Sequence, residues 1–193
     1  MEYLTAPENI GEHGLTKSRG GDWLDCLNSA GLKGRGETVM VSCQLVMCLK
    51  YLAEILEKLG KDGEKYVEFA DKLKKTINEV SYNKEGFYNG VFTDGGVWIF
   101  SDNDPDGEKR VYAPTNSYAI ISGVAEGKEQ AIINHLETLE RIRVINYLAY
   151  RSVRNIWKES ARWVLGISNR ILQKTQVYII TVRSSSMLAL WRK

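Results

Sequence analysis

Two consecutive stretches of the chain carry different hydrophobic patterns, and together they predict a helical hairpin. From Glu37 to Leu59 the apolar positions are Val39, Cys43, Val46, Met47, Leu49, Leu52, Ile55, Leu56 and Leu59. The first half is apolar nearly all round, the pattern of a helix buried on most sides. From Asp62 to Val80 the apolar residues Tyr66, Phe69, Ala70, Leu73, Ile77 and Val80 keep three-and-four spacing, one stripe of an amphipathic helix. Lys65, Lys72, Lys74 and Lys75 lie mostly off that stripe and read as its solvated face. Gly60 suits a helix stop and Asp62 a cap for the second helix. A connection this short predicts antiparallel neighbours.

Beyond the hairpin the periodicity lapses. Residues 83–112 are rich in Gly, Asn, Asp and aromatic residues. They read as a long irregular excursion with a short β-hairpin around Gly90–Phe92 and Gly96–Phe100. Helix is expected to resume near Asn116 and again from Glu129 to Glu140. The pattern is therefore mainly α, with about four helices before residue 141.

Charge divides the chain. Residues 1–140 hold 23 Asp/Glu and 15 Lys/Arg, a net of −8, whereas residues 141–193 hold one acid, Glu159, and 11 Lys/Arg, a net of +10. Glycine thins out after residue 140 and proline stops. The break predicts two regions, 1–140 and a basic tail, 141–193. No run of about 18 apolar residues exists, and the N-terminus lacks the basic and apolar parts of a signal peptide, so neither a membrane span nor export is expected. Three cysteines without framework spacing suggest free thiols in a reducing, cytoplasmic setting. Cys43 and Cys48 are expected as small core residues of the apolar helix.

The chemistry concentrates in Gly20-Gly21-Asp22-Trp23-Leu24-Asp25-Cys26-Leu27-Asn28. Two carboxylates flank a tryptophan beside glycines that let backbone approach a ligand. Taken alone, the pair also fits a capped turn. Gly31-Leu32-Lys33-Gly34-Arg35-Gly36 lacks phosphate-loop spacing and reads as the turn that leads Glu37 into the buried helix. Asp102-Asn103-Asp104-Pro105-Asp106-Gly107 imitates the start of a calcium loop, but Ala113 holds the twelfth position, so a solvated acidic loop is expected. His13 and His135 are the only histidines; no zinc-ligand spacing and no Ser/His/Asp set can be drawn, and no metal is expected.

The order of these segments resembles glycoside hydrolase family 94, the cellobiose phosphorylase-like inverting sugar phosphorylases. The family pattern G-D-W-N-D, a glycine-rich turn and G-R-G-E-S is matched by Gly21–Asp25 and Gly34–Thr38, with Leu24 in place of Asn and Thr38 in place of Ser. Gly11-Glu12-His13-Gly14-Leu15 resembles the segment upstream. Arg110-Val111-Tyr112 and Asn116–Gly123 resemble a later R-x-Y…Q-S-W-A-x-x-S-G stretch.

The resemblance implies an incomplete (α/α)6 barrel, with residues 1–140 a fragment of its catalytic domain. It implies phosphorolysis of a β-linked glucosyl di- or oligosaccharide to α-glucose 1-phosphate. Asp25 would be the general acid, and Trp23, Asp22, Arg35 and Glu37 would bind substrate; Arg35 and Glu37 could equally order their turn. Inorganic phosphate would be the co-substrate, with no cofactor, no nucleic acid and no membrane partner. The parent enzyme would be a homodimer. Hydrolysis on the same barrel is the first alternative, but no base carboxylate can be nominated for it. A noncatalytic helical module using the basic tail, with Trp157, Trp163 and Trp191, is the second.

The family closes its barrel with a stretch like E-N-G-x-V-Y-N-H-G, whose histidine contacts phosphate. No such segment is recognisable here, so no phosphate-binding residue is named. Suitable synonymous codons for Gln173–Val182 would encode Glu-Asn-Ala-Gly-Val-Tyr-Asn-His-Gly in another frame. The expectation is therefore that residues 141–193 are out of frame and that the truncated chain is inactive.

Overall fold

The computed structural model describes residues 2–21 and 25–141, with residues 25, 26, 28 and 138–141 described as backbone. The basic tail from residue 142, and the expectations attached to it, lie outside the described residues. What is described is mainly α. A short α1 (Glu2–Thr5) precedes α2 (Val39–Lys58), α3 (Glu64–Val80), α4 (Ala113–Ile121) and α5 (Glu129–Arg141). Two 3-10 segments, Pro7–Asn9 and Asp25–Gly31, lie before α2. Three two-residue strands, β1 (Glu37–Thr38), β2 (Val91–Phe92) and β3 (Trp98–Ile99), form an antiparallel sheet in the order β1-β2-β3.

The hairpin of α2 and α3 forms as the periodicity requires. Its main core joins Val39, Cys43, Val46 and Leu49 of α2 to Ala70, Leu73 and Ile77 of α3. Ala119 of α4 and Ile132 of α5 belong to the same cluster, as do Leu15 and Tyr88. Gly60, at φ 66°, ends α2 in a conformation that glycine adopts without strain. The Gly60 N–H donates to Glu57 O and the Lys61 N–H to Leu56 O, so two of the last carbonyls of α2 are satisfied. Asp62 Oδ1 then accepts the Glu64 N–H at 2.9 Å where α3 begins.

Three expectations need correction. Helix was expected from Glu37, but Glu37 and Thr38 pair with β2 as a strand, in register with Phe92 and Val91. A helical residue 37 could not offer its backbone to that sheet. Cys43 is buried, and burial pushes its thiol up to about 12, but Cys48 is exposed and is no core residue. The Asp102–Gly107 loop is not wholly solvated: Asp104 is buried, with Oδ1 accepting the Ser101 N–H and Oδ2 meeting Arg110 at 3.0 Å. By length and apolarity alone α2 could cross a membrane, yet its first half is spent on the core just described.

Candidate active site

The Asp25–Gly31 segment sits on a second apolar cluster. Leu27 and Ala30 pack with Val91, Ile99, Phe100 and Tyr112. Phe100 is left-handed, at φ 55°, an outlier for a bulky side chain. Its ring stacks on Tyr112 at 4.7 Å and 20°. A strained residue thus supports the floor on which the Asp25–Gly31 segment lies. Asp25 is placed as the first residue of that segment. Its side chain, and all of Asp22 and Trp23, lie outside the described residues.

Glu37 joins the two motifs that lie 22 residues apart in sequence. Its side chain is fully buried, yet both oxygens are used. Oε1 accepts the His13 backbone N–H at 3.1 Å and lies 2.8 Å from His13 Nδ1, while Oε2 accepts the Leu15 N–H at 3.0 Å. A buried carboxylate without such donors would cost several kcal/mol. The tight 11–15 loop, closed by Gly11 N–H to Leu15 O, exists to present them. Glu37 therefore has no surface of its own to offer a sugar. Of the two roles open to it, its burial and its bonds suit the ordering of the turn.

Arg35 points the other way. Its guanidinium is half exposed, forks onto the Glu12 carboxylate with an Nη2–Oε1 distance of 2.8 Å, and lies 5.2 Å over the Phe92 ring. The hydrogen bond from Arg35 holds the Glu12 carboxyl below the usual range. His13 stands edge-on to Phe92 at 4.4 Å and 5.8 Å from Trp98, making an aromatic wall beside the guanidinium. Phe92 is itself buried, covered by His13 and by the guanidinium, so the contacts fix the Arg35 side chain in place.

Asp94, at the tip of the β2–β3 hairpin, escaped the sequence reading. Its carboxylate accepts three backbone N–H groups: Lys33 at 2.6 Å on Oδ2, and Arg35 and Gly36 at 2.9 Å each on Oδ1. Burial raises the Asp94 pKa, but those three donors together outweigh it and hold the carboxyl below the usual range. The available signal was Thr93-Asp94-Gly95-Gly96, a turn sequence whose aspartate had no assigned task.

Gly31 and Gly36 are required by close approach. A Cβ on Gly36 would lie 2.6 Å from Ala30 O, and one on Gly31 would lie 2.8 Å from Arg19 O. Backbone therefore packs on backbone where the Asp25–Gly31 segment meets the turn, and Ser18 N–H donates to Gly36 O alongside. Farther along, Asn116 bonds both the N–H and C=O of Tyr88, at 2.9 and 3.1 Å, tying α4 to the strand approach. His135 is tied to Glu85 O at 2.8 Å and stays away from this cluster.

Residues 2–152 match the family model described as "Glycosyl hydrolase 94 superfamily, catalytic domain". Among curated proteins, solabiose phosphorylase of Paenibacillus borealis is 30% identical over 138 residues, covering 67% of this chain and 18% of its own length. The 3-O-beta-D-glucopyranosyl-beta-D-glucuronide phosphorylase of the same organism is 31% identical, covering 66% and 17% respectively. N,N'-diacetylchitobiose phosphorylase of Vibrio proteolyticus is 32% identical, covering 65% and 16%. The chain thus spans less than a fifth of the length of these relatives.

Proposed function

This chain belongs to the glycosyl hydrolase 94 superfamily, and from that premise we propose that it is part of the catalytic domain of an inverting glycoside phosphorylase. The substrate is a β-linked glucosyl di- or oligosaccharide, and the product α-glucose 1-phosphate. The relatives are phosphorylases of differing glycosides, which supports the reaction class. The α2–α3 hairpin serves as an inner and outer helix of an (α/α)6 barrel that the longer protein completes.

In this reading one carboxylic acid suffices. Asp25 protonates the glycosidic oxygen as the bond to the anomeric carbon breaks, and phosphate attacks that carbon from the opposite face. No base is needed, because phosphate is already a nucleophile. Trp23 stacks on the sugar, Asp22 bonds its hydroxyls, and Arg35 contacts it from the rim. The single observation that carries the reading is convergence. Segments 11–15, 25–31, 35–37 and 110–112, spread over 102 residues, meet through the Glu37 bonds, the Gly31–Gly36 contact and the Phe100–Tyr112 stack.

The 193-residue chain by itself is expected to release no α-glucose 1-phosphate. Its described residues hold four helices of nine or more residues, too few to wall a reaction off from water. The test grafts residues 2–141 into solabiose phosphorylase in place of the matching stretch and assays phosphate-dependent release of α-glucose 1-phosphate. Asp25→Asn, which keeps shape but removes the proton donor, should lower turnover by roughly 10²–10⁴-fold. Near-normal turnover after that change would sink the assignment and turn attention to Asp22.

A further inference from the structure

We infer that Asp94 is a positioning residue for the acid: the hairpin tip clamps the Asp25–Gly31 segment and the Arg35 turn into one fixed arrangement. The inference rests on the reading of Asp25 as general acid.

The clamp has two jaws on one residue. The Asp94 backbone N–H donates to Ala30 O at 2.7 Å, gripping the last turn of the segment that Asp25 begins. The Asp94 carboxylate fills a nest of three backbone N–H groups, those of Lys33, Arg35 and Gly36. Ala30 and Arg35 are thereby referred to one residue, the first through its amide nitrogen and the second through Oδ1. The tip itself is closed by Thr93 N–H to Val97 O and Gly96 N–H to Thr93 O, each at 2.9 Å. It is carried by β2 and β3, whose Val91 and Ile99 form the floor under Leu27. The clamp therefore transmits the position of the sheet to the acid-bearing segment.

Nothing else in the turn could replace it. The Gly31–Gly36 stretch offers three N–H groups but no side-chain acceptor, and Glu12 is engaged with Arg35. The charged groups facing Asp94 are Lys33 and Arg35, with Glu12 beyond the guanidinium and Glu37 buried behind the turn.

The experiment is carboxyl and amide NMR on the full 193-residue chain, labelled with 13C-aspartate and 15N. In the unaltered protein the amides of Lys33, Arg35 and Gly36 should shift together with a single midpoint, that of the Asp94 carboxyl. In Asp94→Asn this common transition should vanish and the Asp25 carboxyl resonance should move. Asp94→Glu should restore neither, since the longer stem displaces the carboxylate. Leu73→Ala, which weakens the distant core, should leave all these signals in place; that comparison separates positioning from general stability.

Should Asp94→Asn fail to fold, the shared midpoint in the unaltered chain decides the matter. Three amides that titrate independently of Asp94, or an Asp25 resonance untouched by Asp94→Asn, would overturn the inference. Failure of the phosphorolysis reading would appear in the graft assay and not in these spectra.

Discussion

The α2–α3 hairpin and the turn cluster around Glu37 and Asp94 lie side by side but are held by opposite means. The hairpin is joined by apolar side chains whose contribution scales with area and not with direction. Leu73 and Ile77 could each be exchanged for another residue of similar size. The turn cluster contains little regular structure. Two carboxylates hold it, and between them they accept five backbone N–H groups. There the atom type at each position matters more than its volume, because a donor in place of an acceptor leaves a buried N–H unpaired. The proposed function draws on the second region, where tolerance of substitution is lowest.

The sharpest way to break this contrast is Glu37→Gln. The side chain keeps its size, but an amide NH2 must now face either His13 or Leu15. The expected cost is about 4 kcal/mol, since a carboxylate acceptor is lost and a buried N–H donor is left unpaired. Denaturant unfolding would measure it, and a cost under about 1 kcal/mol would abolish the distinction between the two regions.

Leu73→Met is the matching change in the hairpin. Leu73 is 2% exposed, so it is as much a core residue as Glu37. A volume-conserving swap should nevertheless cost less than about 1.5 kcal/mol. A larger loss in the same unfolding experiment would mean that the hairpin too depends on fixed shape.

The smallest expected effect is with pH. The folded Asp94 and Asp106 carboxyls lie below their usual range, the first through its backbone donors and the second chiefly through the hydrogen bond from Arg110. A depressed folded pKa contributes stability above the unfolded pKa and loses it as pH falls through the folded value. Stability should therefore be level at neutral pH and decline below the ordinary carboxylate range. Asp94→Asn should flatten part of that decline; an unchanged acid limb would show that the nest contributes nothing.

The same contrast explains how far the sequence could be read. The helices were legible because burial writes itself as periodicity: the stripe Tyr66, Phe69, Ala70, Leu73, Ile77, Val80 is the inner face of α3. The hairpin at Gly90–Phe100 was legible from turn residues. Glu37 was placed one element too late, because an apolar run after a charged residue looks like a helix start and carries no mark of strand pairing with Phe92. Asp94 was invisible for a related reason. Its partners are backbone amides 58 to 61 residues away, and amides have no letter in a sequence. Arg35 and Asp25 were singled out through the family pattern, which carries such long-range information indirectly.

The second half of α2 bears one more consequence. Tyr51, Ile55 and Leu59 are 44%, 54% and 64% exposed and fall one turn apart, so they form a single uncovered ridge. The first half of the same helix is sealed within the core. One continuous helix therefore carries two surfaces, one matched to α3 and one apolar and open among the described residues. An exposed apolar ridge favours self-association, so light scattering by the purified chain should rise with its concentration.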